Sequence, residues 1–207
     1  MVRVTRKTAF ALALGAVTML GACKKSENAA DTTVAAADTS MSAGAGSSTS
    51  MNAAAAAPAP VTDAGILATL AAANQGEIDA GKLAESKATS ASVKSFAHDM
   101  VVAHTAMLKS GDALAKKLNI TPDAAAADSI NAMNQSTGAA LSAAAKGSAF
   151  DSAYVNAQVA GHQYVLDMIK RDEGAAQNAE LKSALTAAEP KVQAHLDRIK
   201  AIQGKMM

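Results

Sequence analysis

Aromatic side chains are nearly absent from this sequence. Three Phe, two Tyr and no Trp stand among 207 residues. No core can be built on large rings, and no row of aromatics interleaved with Arg is present to stack on bases, so no nucleic-acid partner is expected. There is one cysteine, Cys23, which excludes a disulfide framework and a thiolate metal cluster. Net charge is small, with 19 Lys and Arg against 18 Asp and Glu. Arg3, Arg6 and Lys7 fall in the first 22 residues, and the remainder carries 16 basic against 18 acidic residues. Neither balance suits a polyanion binder. Also missing are a nucleophile elbow, a Gly-rich phosphate loop and an HExxH pair, so no enzyme class is indicated. No β-branched alternating run with hairpin turns occurs, which removes the β classes.

What is abundant is alanine. Hydrophobic residues make up 50% of the chain and aromatics 2%, so the apolar fraction is Ala with Leu, Val, Ile and Met. Ala is the best helix former and a poor strand former. An all-α protein is predicted. Its core would depend on close approach of helices, because each small side chain buries little area at roughly 25 cal/mol per Å².

The amino terminus reads as an address and an anchor. Met1 to Lys7 is short and basic, and Thr8 to Leu20 is apolar. That run has the length of a signal-peptide core and is too short to span a bilayer comfortably. It leads into Leu20-Gly21-Ala22-Cys23, the pattern of a bacterial lipoprotein signal. Residues 1–22 would be removed and Cys23 acylated, tying the chain to a membrane. The alternative is an ordinary export signal that happens to precede a Cys. Lys24, where an Asp would resemble an inner-membrane retention signal, favours the periplasmic face of the outer membrane. Residues 23–61 are Ala, Ser, Thr, Gly and Asp with Pro58 and Pro60. Such a stretch cannot offset the entropy of ordering, and it reads as a tether spanning roughly 30–35 Å.

Residues 62–207 form the expected folded domain. Thr62 or Asp63 caps a first helix running to about Thr89, with Ile66, Leu70, Ala73, Glu77, Gly81, Ala84 and Ala88 as its seam. A neighbouring column, Leu67, Ala71, Asn74 and Ile78, competes with it. Ser90 or Ser92 caps a second helix ending at Asn119, whose seam is Val93, Ala97, Met100, His104, Met107, Gly111, Leu114 and Leu118. Asp123 to about Ala145 reads as a helical crossover. Ser148 caps a third long helix carrying Asp151, Val155, Gln158, His162, Val165 and Ile169, closed by Gly174. Asn178 caps a last helix with Leu181, Leu185, Ala188, Val192, His195, Ile199 and Ile202. Pro190 predicts a kink or break near Ala187 to Glu189. Four long helices with an extra segment between the second and third follow the plan of a ferritin-like four-helix bundle.

The stretches EIDAGKLAESKATSASVKSFAHDMVVAHTAML, FDSAYVNAQVAGHQYVL and EPKVQAHL closely resemble the bacterial proteins grouped as domain-of-unknown-function family 4142. The resemblance covers about Ala64 to Ile202. It implies a ferritin-like helical bundle, exported and outer-membrane or periplasmic, and it implies no established activity.

Four polar residues interrupt the apolar seams: Glu77, His104, His162 and His195. At 1.5 Å per residue, Glu77, His104 and His162 lie at matching depths, and His195 is offset from His162 by roughly 9 Å, so that the Pro190 kink would have to help. One reading is a transition-metal site for Zn, Cu or Fe, with Met100, Met107, Tyr154 and Gln158 in support. The other is a set of buried polar groups satisfied by one another or by water. The ferritin di-metal signature places a Glu three residues before a His, and here Val101 and Val192 hold those positions, against a di-iron centre. Asp151 and Glu77 are not expected to form a carboxylate pair, and His98 reads as partly exposed. Two functions follow. The first is a membrane-tethered envelope lipoprotein whose bundle binds an envelope protein partner, without enzymatic activity. The second is a periplasmic metal-binding or metal-redox protein.

Overall fold

The computed structural model describes residues 61–206. The expected signal peptide, Cys23 and the tether up to residue 60 lie outside the described residues. Five helices account for the rest: α1 (Asp63–Lys87), α2 (Ala91–Leu118), α3 (Asp128–Ala143), α4 (Ser148–Ala175) and α5 (Ala179–Gln203), with a 3₁₀ turn, Ala124–Ala127, before α3. No strand occurs among the described residues, and no helix there is long and apolar enough to cross a membrane.

Side-chain contacts fix the topology. At one end, Asp63 at the start of α1 accepts from the backbone N–H groups of Gln177 and Asn178, and Lys117 near the end of α2 pairs with Glu180 at the start of α5. At the other end, the α1–α2 link meets Asp151 near the start of α4, and Gln203 at the end of α5 bonds Asn156. The helices α1 and α5 therefore run one way, and α2 and α4 the other. The crossover carries the chain back along α1. The N–H of Asp123 bonds the Ala64 carbonyl, the Asn134 amide donates to the Ala72 carbonyl, and Lys87 donates to the carbonyls of Leu141 and Ser142. This is the bundle with one crossover that the element order implied.

Three helix ends follow local chemistry directly. The Thr62 hydroxyl accepts from the Gly65 N–H, the Asn178 amide oxygen accepts from Glu180 and Leu181, and Asn119 ends α2 at φ 54°. Ser90 occupies the cap position of α2, but its side chain makes no cap bond. The carboxylate of Asp151 instead holds the two residues before the helix, accepting from Thr89 N at 3.0 Å, Thr89 Oγ1 at 2.8 Å and Ser90 N at 2.9 Å. At α4 the cap position is Gly147, not Ser148, and its φ of 113° is one that side-chain-bearing residues rarely adopt.

The break expected at Pro190 is absent, and α5 is continuous from Ala179 to Gln203. Proline removes one hydrogen bond. Leu181 and Leu185 before it and Val192, Leu196 and Ile199 after it are all buried, so core packing holds both halves in one helix. Tight approach of the alanine-rich faces shows at Gly81, where a Cβ would come within 2.7 Å of Val101 Cγ2 and 3.0 Å of the Ala97 carbonyl oxygen. The rings of Phe96, Phe150 and Tyr154 are fully buried. Phe150 stacks on Tyr154 with centroids 6.2 Å apart, and Phe96 meets Tyr154 edge-on at 6.4 Å.

Candidate metal centre

Near mid-length of the bundle three helices each project one imidazole inward. His104 comes from α2, His162 from α4 and His195 from α5. Their ring centroids form a near-equilateral triangle, 5.7 Å from His104 to His162, 5.4 Å from His104 to His195 and 5.6 Å from His162 to His195. One ring nitrogen from each lies within 4.8 Å of the others. His104 and His162 are buried and His195 is half-buried. The offset expected for His195 does not keep it away, and no helix break is needed to bring it in.

The outer nitrogens of two rings are already used. His104 Nδ1 lies 2.9 Å from Asn74 Oδ1. The amide nitrogen of Asn74 donates to the Leu70 carbonyl at 2.8 Å, so the amide oxygen faces His104 and the imidazole must donate from Nδ1. His162 Nδ1 lies 3.0 Å from the Gln158 carbonyl, which can only accept. Both rings therefore hold their proton on Nδ1 and present a bare Nε2 lone pair. The buried nitrogens without a hydrogen-bond partner are His104 Nε2, His162 Nε2 and His195 Nδ1. Unpaired buried polar atoms are uncommon, and here three face one small volume.

Two of the rings are held in the neutral form that coordinates metals. Burial, reinforced by the neighbouring His162 and His195, lowers the His104 pKa to about 3. Burial lowers His195 to about 4, with His162 and Arg198 adding to the effect and Asp99 opposing it. With the three nitrogens no more than 4.8 Å apart, an ion centred among them would lie at most about 2.8 Å from each, against roughly 2.0–2.1 Å for a zinc–imidazole bond. Inward movement of about 0.7 Å per ring closes that gap, within reach of small side-chain torsions.

Glu77 takes a different place from the histidines. Its Oε2 accepts from Gln158 Nε2 at 2.7 Å, and its Oε1 lies 3.8 Å from His162 Nδ1. The carboxylate is thus behind His162, on the protonated side of the ring. It supports that ring electrostatically and is not one of the converging donors. Gln158 joins the two by accepting from His162 with its backbone and donating to Glu77 with its side chain, while its Oε1 has no partner. Tyr154 is buried with its hydroxyl unpaired, and burial, with Glu77 and Glu85 nearby, pushes that hydroxyl's pKa above its ordinary value. Met100 is buried beside the cluster's level on α2, and Met107 lines the cavity that reaches the three imidazoles. Phe96 packs edge-on against His162 with centroids 6.3 Å apart. His98 is exposed and bonds Glu85 on the surface.

Asn74 is the functional neighbour that the seam reading named without giving it a role. The signal was its place in the competing column of α1, one turn from Glu77. Two columns on one helix serve two partners, Asn74 turning to α2 and Glu77 to α4.

Fold and site together define an all-helical bundle with a trihistidine polar centre. The chain belongs to the family described as Domain of unknown function (DUF4142), whose model matches residues 48–202. Neither a curated relative nor a solved structure matches it.

Proposed function

We propose that this domain binds one divalent first-row transition-metal ion through His104 Nε2, His162 Nε2 and His195 Nδ1. The observation that carries the reading is the convergence of three unpaired, buried imidazole nitrogens, two with tautomers set by Asn74 and the Gln158 carbonyl. Ligating histidines typically give their other nitrogen to such a partner, which orients the ring and raises its basicity. An all-imidazole set suits Zn, Cu or Fe and disfavours Mg and Ca, which take oxygen. Three protein ligands leave an open position, the pattern of a site that meets an outside ligand. Val101 and Val192 still stand where a di-iron centre needs Glu, so paired-iron oxidation is not part of the proposal.

The rest of the proposal comes from the sequence. The Leu20-Gly21-Ala22-Cys23 motif supports a lipoprotein held at the membrane through acylated Cys23, with residues 24–61 as tether. Two acyl chains hold far better than one, at about 0.8 kcal/mol per buried CH₂. The metal domain would then sit at a membrane face of the cell envelope.

The test is calorimetric titration of Zn²⁺ into the untagged, chelator-treated full-length chain. One ion per chain with a Kd below about 1 μM is expected, and Mg²⁺ should give no binding. No binding of Zn²⁺, Cu²⁺ or Fe²⁺ would end the reading.

A further inference from the structure

A cavity of about 520 Å³ adjoins the trihistidine cluster and is lined at that end by His104, His162 and His195 themselves, with Asn74 and Glu77. Along α2 its wall runs from His104 to Ala115, eleven residues or roughly 16 Å. Its inner wall is apolar, built from side chains such as Leu67, Leu114, Ile169, Leu181 and Leu185. The exposed lining residues include Ala106 and Ser110 on α2 and Ala184 and Lys191 on α5. The opening therefore lies between these two helices, whose side chains meet at Arg198–Asp99 on one side of the site and Lys117–Glu180 on the other. The shape is a largely apolar chamber with the three imidazoles lining one end and a solvent opening along its side.

Charge decides what such a chamber takes. A divalent ion held by three neutral imidazoles keeps its full double charge. Glu77 lies behind His162 and is engaged with Gln158, Asp99 is paired with Arg198, and Asp112 lines the cavity eight residues along α2 from His104. An uncompensated charge among apolar walls is strongly unfavourable, so the open position calls for an anionic donor. The walls beyond it call for a hydrocarbon. One molecule that meets both demands is an aliphatic monocarboxylate.

We infer, on the basis of the trihistidine metal reading above, that the chamber binds a medium-chain aliphatic carboxylate, its head on the open position of the ion and its tail along the α2–α5 wall. No bond is made or broken except coordination. A carboxylate oxygen displaces the water that would otherwise fill the position.

The experiment uses the full-length chain loaded with Co²⁺, whose visible absorption reports the ion's coordination. Decanoate, acetate and decanol are the probes. Decanoate should shift the cobalt bands at submicromolar to micromolar concentration. Acetate, with the same head and no tail, should need on the order of 100-fold more or beyond. Decanol, with the tail and no charge, should leave the bands unmoved. Ala184→Trp or Leu185→Phe, placing bulk in the chamber, should weaken decanoate at least tenfold while keeping the cobalt spectrum, which also shows that the variant is folded. A cobalt spectrum that decanoate leaves unchanged, or that acetate shifts at the same concentration, overturns the carboxylate assignment and leaves the metal site standing. Failure to form any cobalt spectrum overturns the metal reading, and the ligand with it.

Discussion

Replacing His104, His162 or His195 by alanine is expected to weaken zinc binding by more than about 100-fold in each case. Changes in groups that only orient a ligand already cost 10–100-fold, and removing one of three ligands goes further. Three facts argue for all three positions acting alike. The rings form a triangle with nearly equal sides. Each presents a buried nitrogen with no other partner. Among the described residues no further His, Cys, Asp or Glu joins them to compensate. His98→Ala serves as control, because that ring is exposed and engaged with Glu85. Competition against a chromophoric chelator measures the change. His104→Gln should also lose the metal while filling most of the same volume, which separates a ligand effect from a packing effect. Equal losses in the His98 variant, or undiminished affinity after any one of the three changes, would remove the site from these residues.

Asp151→Ala is expected to destabilise the domain by roughly 1.5–3 kcal/mol, the range for losing hydrogen bonds to a charged group. The carboxylate is 3% exposed and accepts from two backbone N–H groups and one hydroxyl of the α1–α2 link. It lies at the amino end of α2, where a negative charge also meets the favourable end of the helix dipole. Because Ser90 makes no cap bond of its own, nothing local replaces it. For a domain of this size, 1 kcal/mol corresponds to roughly 2–4 °C, so thermal unfolding should fall by on the order of 5–10 °C. Asp151→Asn should lie between, since one amide oxygen still accepts but the amide nitrogen faces donors. Zinc affinity at a temperature where the variant is folded should change less than tenfold. Asp151 is eleven residues from His162 on α4, roughly 16 Å along the axis. A variant with unchanged thermal stability would show that the link is held by other contacts.

The three histidines and Asp151 mark what could be read in the sequence and what could not. The step of three and four that placed His104 and His195 among apolar neighbours was enough to bring them to one interior, because a long helix must bury its seam. The same spacing placed Asp151 on the seam of α4. It could not show that the link between two other helices would come to it, which depends on long-range topology. On α1 the ambiguity was chemical. A surface of Ala, Gly and small residues gives no strong preference between two columns, and the structure uses both. Ile66 and Leu67 are buried together, and Asn74 and Glu77 serve different neighbours. Glu77 was expected at the same level as the histidines, and in depth it is close to them. Its rotational position sets it behind His162, and depth arithmetic carries no rotation. Pro190 shows the opposite limit. A local penalty of one hydrogen bond gave way to five buried side chains along α5.

X-ray absorption at the zinc edge of the full-length, singly loaded chain addresses the trihistidine assignment itself. Three imidazole nitrogens at roughly 2.0–2.1 Å and one further nitrogen or oxygen donor are expected. A spectrum with sulfur in the shell, or with one imidazole or none, would place the ion elsewhere and contradict the account.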